Sequence, residues 1–231
     1  MKIKFDFLPR IHLCMVCRRP ILGLAYIDAY GNRVCQSHKD SIKYCVSCGR
    51  FCTPDNTSIG NDKKICPACE NNRPTENERN SIISYIRTRY QESGIGAIPQ
   101  FTLYLLEPEE LRKMGSHSAS GYAEMKDNKY NIYVLKYLSK TAFGNVMAHE
   151  MLHLWQFQHH IKAPQDISEG FCNMGSYFIL QGIKSEVASV LIRGLEQSQD
   201  PIYGLGFRKI KAVYDQGGWP AVLPRMKRYR C

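Results

Sequence analysis

Past residue 74 the chain alternates between two apolar periods. Ile82, Ile83, Ile86 and Tyr90 recur at helical spacing and predict a helix over about 75–93, closed by Gly94 and Gly96. The segment FTLYLLE (101–107) reads as a strand, and GYAEMK (121–126) and YNIYVLK (130–136) are two more, flanking the polar turn Asp127-Asn128-Lys129 at hairpin length. From Ser139 onward the period is helical. It predicts helices over about 139–160, 167–182, 185–198, 205–216 and 218–228, punctuated by Pro164, Pro201 and Gly217-Gly218.

The part before residue 74 is organised by cysteine. Cys14-x2-Cys17 is followed after 17 residues by Cys35-x2-His38; six residues later, Cys45-x2-Cys48 is followed after 17 residues by Cys66-x2-Cys69. A C-x2-C turn points two thiolates at one ion, and a second pair one short hairpin later completes a closed tetrahedral site with no open position. Two structural zinc sites follow, one held by Cys14, Cys17, Cys35 and His38, the other by Cys45, Cys48, Cys66 and Cys69. This ligand order permits sequential, LIM-like sites or the interleaved cross-brace of a RING finger. Sequential pairing closes the shorter loops and is preferred. Of the ten cysteines, Cys52 is read as a neighbour of the second site, and Cys172 and Cys231 as small residues or free thiols. The composition shift at ENNRPTENERN sets a boundary near residue 74: a LIM-like double zinc module over 1–74, then a second domain over 75–231.

Composition narrows the function classes. Hydrophobic residues make up 44% of the 231 and charged residues 23%, close to globular averages, and no apolar run reaches the roughly 18 residues of a membrane span. The N-terminal MKIKFDFLPR has no apolar h-region before Cys14, so no secretory signal is read there and a cytoplasmic protein is expected. The net charge of +10 is dispersed, with twelve basic against six acidic residues through position 74 and nineteen against fifteen beyond it. Seven zinc-bound thiolates on two ions lower the first figure further. No helix of the zinc module carries an Arg/Lys stripe, which argues against a zinc-finger nucleic-acid binder.

Candidate chemistry lies in the first helix after Ser139. His149-Glu150-Met151-Leu152-His153 places two imidazoles one turn apart on one helix face, with Glu150 facing the same ion. This is the HExxH pattern of zincins, on a helix flanked by Val146, Met147, Met151, Leu152, Leu154 and Trp155. A hydrolytic site needs one more protein ligand and an open position for water. Glu169, 16 residues after His153 at the start of the next helix, is favoured, and Asp166 is its competitor. Alternatively, Asp166 and Glu169 form a D-x-x-E capping box at that helix start. In the zincin reading Glu150 is the general base, and Tyr203 or Tyr177 is a candidate donor to the oxyanion. GYAEMK is a strand on which an extended substrate can pair. His117, His159 and His160 have no partner spacing and are read as surface or helix-end residues.

The segments AHEMLHLWQF, PQDISEGFC and DPIYGLGFRKIKAVYDQGG, together with CQSHKD, YCVSCGR and DNTSIGNDKKICPACE, resemble the plant DA-one family of LIM-domain, ubiquitin-activated peptidases over about residues 14–228. The resemblance implies that His149, His153 and the Glu of the E-G-x-C segment, Glu169, hold a catalytic zinc, with Glu150 as the catalytic Glu. Plant members carry ubiquitin-interacting helices and a further LIM half ahead of the matched part, and this sequence starts almost at the knuckles. Binding of ubiquitin through those helices is therefore not carried over. The expected fold class is α+β: a small LIM-like module followed by a mainly helical, gluzincin-type peptidase domain with a short antiparallel sheet. The expected activity is zinc-dependent endoproteolysis with three zinc ions per chain. The expected partners are protein or peptide substrates and a ubiquitin or ubiquitin-like regulator, with neither nucleic acid nor membrane. The alternative is a non-catalytic adaptor with a peptidase-like domain, against which the intact set of His149, Glu150, His153 and Glu169 argues.

Overall fold

The computed structural model describes residues 12–59, 63–114 and 120–231, and the chain divides into two compact units, Met1–Pro67 and Ala68–Cys231. In the first, β1 (Ala25–Ile27) and β2 (Arg33–Cys35) form an antiparallel hairpin that leads into a 3-10 turn at Gln36–Ser41. Two-residue strands follow in antiparallel pairs, β3 (Lys43–Tyr44) with β4 (Phe51–Cys52) and β5 (Ser58–Ile59) with β6 (Lys63–Lys64), and the short helix α1 (Pro67–Glu70) comes next.

The repeat seen in the cysteine spacing recurs bond by bond at a shift of 31 residues. Cys14 N–H donates to Arg19 O at 2.9 Å and Cys45 N–H to Arg50 O at 2.8 Å; Met15 N–H donates to Arg33 O and Val46 N–H to Lys64 O, both at 2.9 Å. Arg18 and Gly49 occupy the same left-handed position, at φ 60° and 75°. Asp28 fastens one half to the other. Its Oδ1 accepts from the amides of Tyr30 and Asn32 at 2.9 Å, and its Oδ2 accepts from Phe51 N–H at 2.8 Å. Tyr30 Oη donates to Cys48 O at 2.9 Å under the Arg50 guanidinium. One apolar cluster is centred on Cys14, Val34 and Phe51, and Ile59 and Ile65 are buried besides.

The second unit is mixed α/β and mainly helical. Helix α2 (Glu76–Glu92) opens on a capping box in which Thr75 Oγ1 accepts from Glu78 N–H and Glu78 Oε2 accepts from Thr75 N–H. Strand β7 (Thr102–Leu106), helix α3 (Pro108–Lys113), and strands β8 (Gly121–Lys126) and β9 (Lys129–Leu135) follow. Then come α4 (Lys140–Gln158), α5 (Gln165–Leu180), α6 (Glu186–Gln197) and α7 (Tyr203–Lys227). α7 carries both of the last two expected helices, merged across a break at Gly217–Gly218, where the backbone leaves helical geometry. α3 was not expected from the sequence: its one turn and a half is too short to show a period, though Pro108 at its first position is a start signal.

The expected antiparallel sheet is corrected to a mixed one. The strand order is β7-β9-β8, with β9 antiparallel to β8 and parallel to β7. β9 takes the centre because Ile132, Val134 and Leu135 are buried, whereas β8 carries Glu124 and Lys126 and suits an edge. The hairpin turn is two residues long, with Asp127 and Asn128 at φ 51° and 59°, the signature of a type I′ turn.

α4 is the central helix, with 13 of its 19 residues buried, so neighbours cover most of its surface. Tyr90 of α2 donates to Ala148 O at 2.7 Å, and the fully buried Trp155 donates through Nε1 to Ile95 O at 3.0 Å. α5 runs back along α4 and crosses α7 at a glycine pair. A Cβ on Gly170 would lie 2.3 Å from the Gly206 backbone, and one on Gly206 would lie 2.0 Å from Asp166 O. Neither contact can relax by a rotamer change, so any side chain there separates α5 from α7. Among the described residues no helix is long and apolar enough to cross a membrane.

Candidate metal centre

Three groups among the described residues can hold a metal ion. Cys14, Cys17, Cys35 and His38 form the first and Cys45, Cys48, Cys66 and Cys69 the second, each with its donor atoms within 4.8 Å of one another. The grouping is sequential and not interleaved. In the first, Cys35 Sγ lies 3.1 Å and Cys14 Sγ 3.8 Å from His38 Nδ1; in the second, Cys48 and Cys66 Sγ are 3.8 Å apart. Thiolates 2.3 Å from a tetrahedral ion stand roughly 3.8 Å from one another, so these donor sets fit such an ion. The amides of Cys35 and Cys66 point at Cys14 Sγ and Cys45 Sγ at 3.5 and 3.4 Å, oriented to stabilise thiolates. Cys52 is buried beside Cys45 but stays outside the group, and Cys231 is exposed.

The third group, His149, His153 and Cys172, is built by α4 and α5, with Glu169 beside its two imidazoles. One turn of α4 carries His149 and His153, whose Nε2 atoms lie 3.2 Å apart. Glu169, on the first turn of α5, brings Oε2 to 3.1 Å from His149 Nε2 and 3.6 Å from His153 Nε2. Nitrogen and oxygen donors about 2.0–2.1 Å from a tetrahedral ion are roughly 3.3–3.4 Å apart. The triangle has that size.

The outer hydrogen bonds orient both imidazole rings. Asn173 donates through Nδ2 to Tyr203 O at 3.2 Å, which leaves its Oδ1 to accept from His149 Nδ1, 3.0 Å away. Gln156 donates through Nε2 to Ser168 O at 3.2 Å, so its Oε1 accepts from His153 Nδ1 at 3.2 Å and from Ser168 Oγ at 2.9 Å. Each ring thus presents Nδ1 to an amide oxygen and turns its Nε2 toward the other imidazole and toward the Glu169 carboxylate. Burial alone would raise the Glu169 carboxyl, but its bonds to His149 and His153 outweigh that and hold it at about 2.

Glu150 is 6% exposed and lies on the side of α4 facing the start of β8. Burial pushes its carboxyl up, and the neighbouring His149 and His153 oppose the rise. Gly121 makes room for it: a Cβ there would lie 2.7 Å from Glu150 Oε1 and 2.5 Å from Val146 Cγ1. His149, Glu150, His153, Glu169 and Tyr203 share a cleft of about 810 Å³ whose rim includes the first residues of β8.

Other sequence candidates separate clearly. Asp166 pairs with Lys209 at 2.7 Å, away from the imidazoles, and α5 has no side-chain cap, so the capping-box reading of Glu169 is not realised. Tyr203 lines the cleft, whereas Tyr177 packs on Phe207 with Lys211 over its ring and does not. His159 stacks on Trp155 at 4.2 Å and His160 ends the helix at φ 53°. The N-terminal MKIKFDFLPR and His117 lie outside the described residues.

The reading of Cys172 as an ordinary small residue needs correction. It is fully buried and brings Sγ within 4.8 Å of donor nitrogens of both His149 and His153. Burial pushes its thiol up to about 11, so without a metal it is protonated. Its spacing from Glu169, three residues on the same helix, is a signal that the position faces the same way, but a lone cysteine in an apolar helix carries no ligand pattern of its own. Asn173 and Gln156 were also missed, since amides that orient histidines have no sequence signature.

No family model matches the chain, nor does any curated protein or solved structure.

Proposed function

We propose that this protein is a zinc-dependent endopeptidase of the gluzincin type, related to the DA-one peptidases, with a LIM-like module for docking a partner or substrate. The observation that carries this reading is the triangle of His149 Nε2, His153 Nε2 and Glu169 Oε2, with both imidazoles held at Nδ1 and a buried carboxylate, Glu150, beside it in an open cleft. Zinc suits the set: two imidazoles and a carboxylate leave one coordination position open, whereas the Cys-rich groups are closed structural sites. On this reading each chain carries three zinc ions.

A zinc ion in the triangle supplies Lewis acidity that polarises the scissile carbonyl and acidifies water. Glu150, with its carboxyl raised by burial, takes the proton of the attacking water and returns it to the leaving amine. β8 is an edge strand whose outer backbone groups can pair with an extended polypeptide across the cleft. Tyr203 stands in the same cleft as a hydroxyl donor to the oxyanion. The closed Cys sites cannot activate water, so the module's part is docking, with a ubiquitin-like regulator as the partner class and the cytoplasm as the setting.

The test is cleavage of an unfolded protein or peptide library by the zinc-loaded chain, read by mass spectrometry, against Glu150→Gln. Cleavage should fall by roughly 10²-fold or more while metal content is unchanged. Equal cleavage by the Gln variant removes Glu150 from the chemistry, and no cleavage by the wild type on any substrate favours the adaptor.

A further inference from the structure

α6 contributes part of the wall of the cleft that holds the metal triangle. Val190, Leu191, Gly194 and Leu195 line the cleft, and their spacing puts them on one helical face. That face is apolar yet not packed away: Ala188 is the one buried residue of α6. Val146 and Phe157 of α4 present further apolar surface to the same space.

Gly194 sits in the middle of this face, and nothing in the fold calls for glycine there. Its backbone is helical, with no left-handed φ to accommodate, and a Cβ would meet no atom within 4 Å. The contrast with Gly170, Gly204 and Gly206 is direct, since each of those has backbone within 2.3 Å of where a Cβ would lie. Glycine weakens a helix relative to alanine, so α6 carries a cost at this position that packing does not explain. What the missing side chain does is widen the cleft where three aliphatic side chains surround it.

We propose that Gly194, with Val190, Leu191 and Leu195, forms an apolar subsite that takes a bulky apolar side chain, such as Leu or Phe, of an extended polypeptide lying along the cleft, and that Gly194 sets the size limit. This rests on the peptidase reading for its substrate class. An aliphatic wall with an open floor gains from each methylene it buries and has no polar group with which to select a charged side chain. The α6 residues that line the cleft are Val190, Leu191, Gly194 and Leu195, none of them polar.

The experiment uses the full zinc-loaded chain and peptides identical except for Gly, Ala, Leu or Phe at one scanned position. Wild type should prefer Leu or Phe over Ala at one position by roughly ten-fold or more in kcat/KM. Gly194→Leu should remove or invert that ratio without loss of metal, and Gly194→Ala should shift it toward smaller residues while raising the thermal midpoint. A parallel measurement does not depend on turnover. In Glu150→Gln with 13C-labelled Val and Leu methyls, the Phe peptide should move the Val190, Leu191 and Leu195 resonances and the Gly peptide should not. An unchanged Leu-to-Ala ratio in Gly194→Leu, or methyl shifts equal for the Phe and Gly peptides, overturns the subsite. Selective methyl shifts with no cleavage of any peptide keep the subsite and overturn the peptidase reading instead.

Discussion

Asn173 Oδ1 lies 3.0 Å from His149 Nδ1, on the edge of the imidazole opposite the nitrogen that faces Glu169. The amide is itself held, donating to Tyr203 O, so it fixes both the tautomer and the tilt of the ring. Asn173→Ala should leave α5 folded yet lower metal affinity at this centre by roughly 10–100-fold. Competition with a chelating dye measures it, with Asn173→Asp restoring most of the affinity because a carboxylate also accepts from Nδ1. Unaltered affinity in the Ala variant would mean that the ring is oriented by packing alone.

Much of the site's skeleton was legible because its parts are periodic. His149 and His153 share a face by helical spacing, and Cys14 to Cys69 repeat a spacing that the backbone then repeats hydrogen bond by hydrogen bond. What escaped depends on contacts between distant segments. The parallel pairing of β7 with β9 follows from which strand of the hairpin is the more apolar, a comparison that no single strand pattern displays. The glycines in E-G-x-C and Y-G-x-G-F were visible as motif letters, but their reason, the contact of Gly170 with Gly206, exists only once α5 and α7 cross.

Gly121 and Glu150 are a second such pair. A Cβ on Gly121 falls 2.7 Å from Glu150 Oε1 and 3.0 Å from its Cγ, so Gly121→Ala must push the carboxylate aside or lift β8 from α4. The expected result is a protein that retains its metal but loses cleavage nearly as severely as Glu150→Gln. Wild-type cleavage by the Ala variant would show that the carboxylate has room to work from another rotamer.

Glu169 and Cys172 offer different third donors to the same two histidines. Glu169 Oε2 lies 3.1 and 3.6 Å from the two Nε2 atoms, the spacing of donors on one ion, while Cys172 Sγ stands within 4.8 Å of donor nitrogens of both rings. Glu169→Ala should therefore lose metal from this centre, and Cys172→Ser should keep it. With cobalt in place of zinc, the thiolate charge-transfer absorption of the whole chain should be the same in Cys172→Ser as in wild type. A drop in that absorption would make Cys172 a ligand and displace Glu169 from the set.

The two knuckles provide a matched comparison for backbone strain. Arg18 and Gly49 hold the same place in their turns, with Arg18 N–H donating to Cys14 O at 2.8 Å and Gly49 N–H to Cys45 O at 2.9 Å. Both need positive φ, which costs a residue with a Cβ about 1 kcal/mol or more relative to glycine. No atom lies within 4 Å of a Cβ built on Gly49, so a substitution there is opposed by the backbone alone. Where metal binding is coupled to folding of the module, that backbone energy should appear in metal affinity, about ten-fold for each 1.4 kcal/mol. Arg18→Gly should tighten the Cys14–His38 site by several-fold, and Gly49→Ala should weaken the Cys45–Cys69 site by a similar factor, each leaving the other site unaffected. Competitive titration of the two single variants and the double variant reads both sites. Equal affinities across the series would show that these turns are held by their ligands and not by backbone preference.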